Sequence, residues 1–122
     1  MIIGVPREVH RHEHRVGLTP FAVSRLVQHG HTVCVETQAG EEAHFHDRDY
    51  DKSGAQIVYT SEEAYRRADL VCRVAMLSAD ELELLRPGSI VCGFQHLAVA
   101  PRDVIAEMAK TFGATQKQGE EL

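Results

Sequence analysis

The sequence lacks the glycine-rich motifs that hold phosphate groups. Its nine glycines are scattered, so that neither G-x-G-x-x-G nor G-x-x-x-x-G-K-[ST] occurs anywhere in the chain. These motifs work because glycine lets the backbone approach a pyrophosphate or triphosphate closely. Their absence excludes a recognisable dinucleotide or triphosphate cradle, and we expect no cofactor-binding residue in this chain.

An excess of basic residues is also missing. The 13 Lys and Arg residues are outnumbered by 18 Asp and Glu, giving a net charge of −5. Nucleic-acid binding needs a basic surface to displace counterions from phosphates, so no nucleic-acid partner is expected. The start of the chain, MIIGVPRE, is too short an apolar run for a signal peptide or a membrane span. We therefore expect no membrane association and a cytoplasmic location.

Cysteine is sparse and histidine is frequent, but neither has metal-site spacing. The three cysteines lie inside apolar runs without a C-x-x-C pair, which predicts buried structural thiols. Two sets of histidines alternate in polar sequence, at positions 10, 12 and 14 and at positions 44 and 46. An extended backbone would aim each set to one side, yet no further cysteine or histidine stands at finger spacing. We expect solvated histidines and no metal.

Short apolar strands alternate with helical stretches along the chain. A composition of 43% hydrophobic and 25% charged residues over 122 positions suits one globular domain, expected over residues 1–113 with a polar tail at 114–122. Strands are predicted at residues 2–5, 31–36, 56–58, 68–74 and 89–94. Helices open near residues 20, 47, 60, 78 and 101, and the helix that opens near residue 78 is predicted to end at residues 87–88. This alternation predicts an α/β fold with three layers, in which helices cover both faces of a mostly parallel sheet. Ligands then collect beyond the carboxyl ends of the strands.

Three motifs resemble a known family. The chain reads GVPRE at residues 4–8, EHRVGLTP at 13–20 and FQHLA at 94–98. It resembles the N-terminal signature of the alanine dehydrogenase and pyridine nucleotide transhydrogenase family, where G-x-P-x-E leads to N-E-x-R-V-A-x-T-P. The resemblance extends to about Gly113 and implies a flavodoxin-like fold, as in the catalytic domains of formate/glycerate and alanine dehydrogenases.

The resemblance also implies roles for two residues. Arg15 matches the arginine that holds the carboxylate of pyruvate or alanine, a task suited to the planar guanidinium fork. His96 matches the histidine that exchanges a proton with the substrate carbonyl or amine, so it is both a substrate-binding and a catalytic candidate. Two other interpretations stay open: a surface ion pair of Arg15 with Glu8 or Glu13, and a histidine that only caps a strand end.

The sequence departs from the family pattern at a third functional position. Active alanine dehydrogenases have K-V-K-E-P, whose second lysine polarises the substrate carbonyl, whereas this chain reads RVAML at residues 73–77 and has Ala75 there. Arg73, two residues earlier, can leave a positive charge nearby, although guanidinium does not exchange protons readily.

The family's NAD-binding Rossmann domain follows the segment that this chain resembles. The sequence therefore predicts a substrate-binding module for a small 2-oxo acid or amino acid that is not catalytic alone. Two alternatives stay open. One is part of an NAD-dependent alanine dehydrogenase-type oxidoreductase whose cofactor domain lies on another chain or outside this fragment. The other is a structural, transhydrogenase-like module without a ligand. A homo-oligomer or a partner chain is expected to cover apolar surface left bare.

Overall fold

Five short strands form one parallel sheet in the computed structural model, which describes residues 1–9 and 12–93. The order across the sheet is β3-β2-β1-β4-β5, and every neighbouring pair is parallel. From β1 the strands continue to β2 and β3 on one side and to β4 and β5 on the other, which is the order of a doubly wound sheet. The strands are β1 (Ile2–Val5), β2 (Thr32–Glu36), β3 (Gln56–Val58), β4 (Leu70–Cys72) and β5 (Ile90–Cys92).

Three of the four described α-helices begin where the sequence supplies a side-chain cap. At the start of α1, Thr19 Oγ1 accepts a hydrogen bond from the Ala22 N–H at 3.2 Å, and Pro20 occupies the first turn, where its missing N–H costs nothing. Ser78 and Glu81 form a reciprocal capping box at the start of α4. The helices are α1 (Pro20–Gln28), α2 (Asp47–Lys52), α3 (Ser61–Arg66) and α4 (Ala79–Glu83), with a 3₁₀ turn at Glu41–Ala43.

The two faces of the sheet pack against different helices. Strand register aligns Ile3 with Val33 on one face, where α1 and α2 contribute Val23 and Tyr50 to the core. On the other face, α3 contributes Ala64 to the cluster under β2, and α3 and α4 together cover Val71 of β4. The predicted α/β fold with helices on both faces of a parallel sheet is confirmed.

The chain reverses direction across the sheet between β1 and β4. It first runs outward from β1 to β2 and β3, and α3 then carries it back to the opposite side of β1. Right-handed crossovers place α1 and α2 on one face and α3 and α4 on the other. The strand order therefore reverses between β1 and β4, and in doubly wound sheets ligands bind at such a point, beyond the carboxyl ends of the strands.

The strand β4 is shorter than the sequence predicts, and so is α4. β4 stops at Cys72 rather than Val74, because the N–H groups of Val74 and Ala75 donate to the Glu8 carboxylate instead of continuing the ladder. The helix predicted up to residues 87–88 ends at Glu83. The helix predicted from residue 101 and the tail at 114–122 lie outside the described residues. Within residues 1–9 and 12–93, no helix is long and apolar enough to cross a membrane.

Candidate functional site

A cavity of about 490 Å³ opens at the carboxyl edge of the sheet, beside the point where the strand order reverses. Four segments line it: residues 15–19 after β1, residues 43 and 45 after β2, residues 72–74 at the end of β4, and residues 92–93 at the end of β5. The alternation of strands and helices in the sequence predicts ligands at this edge. A cavity of this size suits a small metabolite.

The walls of the cavity are mainly apolar. Val16 and Leu18 come from the loop after β1, and Phe45 stands opposite on the loop after β2, edge-on to the Tyr50 ring at 6.5 Å between ring centroids. Arg15 and Thr19 add polar groups. Such a lining suits a ligand with a small apolar part and one anionic group.

The loop at residues 15–19 is held from two sides. A Cβ on Gly17 would lie 2.3 Å from the Cys72 carbonyl oxygen, so only glycine lets the loop pass this close to the end of β4. From the other side, the Tyr50 hydroxyl donates to the Leu18 carbonyl at 2.7 Å. Burial raises the pKa of Tyr50, which keeps this hydroxyl a donor at neutral pH. The wall bearing Arg15 therefore has a defined position.

Arg15 is exposed and binds Glu13. Its Nε donates to Oε2 of Glu13 at 2.9 Å and its Nη2 to Oε1 at 3.0 Å, while 70% of its side chain remains accessible. Hydrogen bonds from the Arg15 side chain, and then from its backbone N–H, lower the pKa of Glu13 to about 2. Glu13 in turn raises the pKa of Arg15. Of the two carboxylates left open by the sequence, Glu13 is the contact partner.

Glu8 is a buried structural carboxylate. Its side chain is 3% exposed, and its Oε2 accepts from Arg73 Nε and from the Val74 N–H, both at 3.0 Å. Its Oε1 accepts from the Ala75 N–H at 3.0 Å. Glu8 therefore holds the chain after β4 against the chain after β1. This contact fixes the position of residues 72–74, which line the cavity.

Arg73 does not leave a positive charge for a ligand. Its side chain is fully buried, and its Nη1 donates to Glu81 and to the Tyr65 hydroxyl, in addition to the bond from Nε to Glu8. Burial opposes the charged form, but Tyr65, Glu81 and Glu8 outweigh it and raise the pKa of Arg73. The expectation of an available charge near position 75 is wrong, because two carboxylates neutralise it.

Glu81 completes this buried cluster. Burial alone would raise the pKa of Glu81, yet the Ser78 N–H and the Arg73 charge outweigh burial and lower it. The cluster of Glu8, Tyr65, Arg73 and Glu81 was not predicted from the sequence. A signal was present, since an arginine inside the apolar run LVCRVAM must find carboxylate partners to be buried.

The predicted catalytic histidine and part of the histidine cluster lie outside the described residues. His96 is one of them, so the role of His96 as proton donor and acceptor stays a prediction. His10 is another. Of the remaining histidines, His14 pairs with Glu42 at 3.2 Å and His46 with Glu41 at 3.1 Å, both near the surface. Within residues 1–9 and 12–93, no group of three or more His, Cys, Asp or Glu side chains could hold a metal ion.

Known proteins share this fold over most of the chain. The family described as "Alanine dehydrogenase/PNT, N-terminal domain" matches residues 4–116. Alanine dehydrogenase of Bacillus subtilis is 37% identical over 115 residues, and that of Staphylococcus saprophyticus is 41% identical over 98 residues. These matches cover 94% and 80% of this chain, but 30% and 26% of the relatives.

Two solved structures agree with this assignment. An L-alanine dehydrogenase superposes with a TM-score of 0.86 at 40% identity, and a transhydrogenase from Sinorhizobium meliloti with a TM-score of 0.81 at 27% identity. Each comparison covers 91% of this chain, and 30% and 31% of the other chain respectively. The chain thus spans about three-tenths of these proteins. It belongs to the alanine dehydrogenase/PNT N-terminal domain family, as the sequence motifs predicted.

Proposed function

We propose that this chain binds a small 2-oxo acid or amino acid of the pyruvate or L-alanine type, and that it does not catalyse a reaction alone. The observation that carries this proposal is the cavity at the carboxyl edge, with apolar walls and Arg15 among the residues that line it. The walls suit a methyl or other small alkyl group, and the guanidinium suits a carboxylate.

The pairing with Glu13 indicates how Arg15 would bind this carboxylate. Glu13 occupies the edge formed by Nε and Nη2, whereas no residue within 1–9 and 12–93 bonds Nη1. A ligand carboxylate can therefore meet the outer edge, formed by Nη1 and Nη2, through two parallel hydrogen bonds. In this arrangement Glu13 orients the guanidinium while the ligand binds its other edge.

His96 is proposed to exchange a proton with the ligand. It follows the last residue of β5, Cys92, by four positions in the sequence. Imidazole is suited to proton transfer near neutral pH, because both of its protonation states are populated there. Its match to the family motif F-x-H-L-A supports this role.

Two features argue against turnover by these 122 residues alone. A methyl group at Ala75 cannot polarise a carbonyl as the family lysine does. NAD supplies or accepts a hydride in alanine dehydrogenase-type chemistry, but no glycine-rich loop in this sequence fits its pyrophosphate. We therefore keep, as an alternative, a part of an oxidoreductase whose NAD site is provided by residues outside this sequence. The likeness to a transhydrogenase favours a further alternative, a structural module without a small-acid ligand.

Titration with pyruvate and with L-alanine, followed by amide NMR shifts, tests the binding proposal. We expect saturable shifts in residues 15–19, and the Arg15→Ala variant should weaken binding by at least about tenfold. Arg66→Ala is the matched control, because Arg66 is exposed on α3, on the opposite face of the sheet from α1 and α2. Absence of shifts at millimolar ligand, or equal binding by Arg15→Ala, would overturn the proposal.

Adding NADH tests the catalytic alternative. With pyruvate and ammonium present, we expect the purified chain to leave the NADH absorbance unchanged. Steady oxidation above the rate of a protein-free sample would show that the chain completes the reaction. A gain of activity on adding the part of a relative that this chain does not match would support the alternative in which a second chain holds NAD.

A further inference from the structure

Two cysteines are the last residues of neighbouring strands and form part of the cavity lining, which is called the cavity floor below. Cys72 is the last residue of β4, Cys92 is the last residue of β5, and the strand register pairs them directly. Residues paired in register on parallel strands point to the same face of the sheet. Both thiols are free, and both residues line the same cavity.

The backbone places these cysteines within reach of a disulfide. Adjacent strands lie about 4.8 Å apart, which falls inside the Cα separation of about 4.4–6.8 Å found for disulfides. The Arg73 N–H donates to the Cys92 carbonyl at 3.0 Å, which holds the two strand ends together. Among the described strands β5 is at the edge of the sheet, so Cys92 can shift slightly without disturbing another strand.

The two thiols differ in accessibility. Cys72 is buried, as the sequence predicts. The prediction of a buried thiol is wrong for Cys92, which is exposed and can meet a small reagent. Burial, and then the neighbouring Cys92, raises the pKa of Cys72 to about 11, so Cys72 is a poor first nucleophile at neutral pH. The third cysteine, Cys34, is buried on the opposite face of the sheet with Val58 and Ala64.

We propose that Cys72 and Cys92 form an oxidisable dithiol, which a hydroperoxide converts into an intramolecular disulfide. The Cys92 thiolate attacks a peroxide oxygen, the O–O bond breaks, and Cys92 becomes a sulfenic acid while water or an alcohol leaves. The Cys72 sulfur then attacks the Cys92 sulfur, the S–O bond breaks, and water leaves with the thiol proton. The two thiols lose two electrons in total, and the hydroperoxide gains them.

The disulfide would alter the cavity directly. It joins the ends of β4 and β5 covalently and draws Cys92 toward Cys72, so the cavity floor loses an exposed thiol and becomes narrower. This inference is independent of the proposed ligand, because it rests on strand register, on accessibility and on the shared cavity.

Oxidation of the reduced full chain with hydrogen peroxide tests the proposal. After unfolding and alkylation, we expect the number of reactive thiols to fall from three to one, since the chain has three cysteines. Tryptic digestion without reductant should give residues 68–73 linked to residues 74–102, because cleavage follows Arg67, Arg73 and Arg102. Pro87 protects the bond after Arg86. Reductant should separate the two peptides.

Three variants make the test specific. Cys34→Ser should still form the linked peptides, while Cys92→Ser should not. Cys72→Ser should accumulate a sulfenic acid at Cys92, detectable as a dimedone adduct. Three alkylated thiols after peroxide treatment of the wild-type chain would overturn the proposal, as would a linkage through Cys34 or a disulfide between two chains.

Discussion

Two arginines near the cavity have opposite surroundings, and this difference decides what each can do. Arg15 has one carboxylate partner and most of its side chain in water, so its outer edge is accessible to an anionic ligand. Arg73 is fully buried between Glu8 and Glu81 and is committed to the structure. The family resemblance implied a ligand-directed charge for Arg15, and the position of Arg73 two residues before Ala75 suggested another.

The Glu13–Arg15 pair makes a direct prediction about acid titration. At pH 3.5 the Glu13 carboxyl should still be ionised, because its pKa is about 2, whereas in Arg15→Ala it should return toward the usual 4.5 and be mostly protonated. Because the folded-state pKa is the lower one, the stabilising effect of the pair is complete above the unfolded pKa and is lost as pH falls toward 2. The carboxyl carbon shift of Glu13 in NMR measures this, and an unchanged titration in Arg15→Ala would contradict it.

Glu8→Gln should destabilise the chain strongly. The amide cannot balance the buried Arg73 charge, and its NH₂ group faces donors where the carboxylate accepted three hydrogen bonds. Breaking one partner of a buried ion pair costs about 3 kcal/mol or more in the free energy of unfolding. Urea unfolding measures this loss. Glu62→Gln, on the exposed first turn of α3, is the control and should change stability by less than about 0.5 kcal/mol.

At the scale of elements, the close contact between α3 and β1 requires a residue without a side chain, Gly4, on β1. A Cβ on Gly4 would lie 2.1 Å from the Ala64 carbonyl oxygen and 2.9 Å from the Ala68 Cβ. The helix that returns the chain across the sheet therefore packs directly on the β1 backbone. This contact holds in place the crossover from β3 to β4, and the end of β4 lines the cavity.

Gly4→Ala should separate α3 from β1. Because the clash is with backbone, it cannot be relieved by a side-chain rotation, and we expect a loss of about 1–3 kcal/mol in the free energy of unfolding. Gly30→Ala is the comparison: its Cβ meets nothing within 4 Å, so its cost comes only from the backbone φ of +89°. Thermal or urea unfolding measures both variants. A smaller loss for Gly4→Ala than for Gly30→Ala would show that α3 is not held this closely.

At the scale of the whole molecule, several large apolar residues lie exposed at the surface. Among them, Phe21 is 75% exposed and Ile90 is 57% exposed. Ile90 belongs to β5, the strand at one edge of the described sheet. Exposed apolar surface, and a strand edge that no other strand pairs within residues 1–9 and 12–93, favour association with another chain. A homo-oligomer or a partner chain therefore stays our expectation for this module.

Light scattering tests whether the chain associates with itself. At micromolar concentration we expect a mass of at least twice 13.6 kDa, the mass of one chain. Association through apolar surface should persist when salt is raised, because salt screens charge pairs and not apolar burial. A mass of one chain under these conditions would contradict self-association. Association with a different partner chain would then remain to be tested, by adding a separately produced part of a relative.

Local signals in the sequence were sufficient for most of the fold. The strands at residues 2–5 and 56–58 and the start of α1 at Pro20 agree with the structure, because short apolar runs, proline and capping residues act within a few positions. The ends of β4 and α4 were less predictable. β4 ends early because Glu8, more than 60 residues away in sequence, takes the N–H groups of Val74 and Ala75.

The sequence by itself determined the family, the alternation of strands and helices, and the candidate residues Arg15 and His96. Only the tertiary structure decided that Arg73 is neutralised, that Glu13 rather than Glu8 binds Arg15, and that Cys72 and Cys92 are neighbours in one cavity. The physical reason is distance along the chain. Motifs and caps depend on nearby residues, whereas ion pairs, strand register and cavities depend on which distant segments the fold brings into contact.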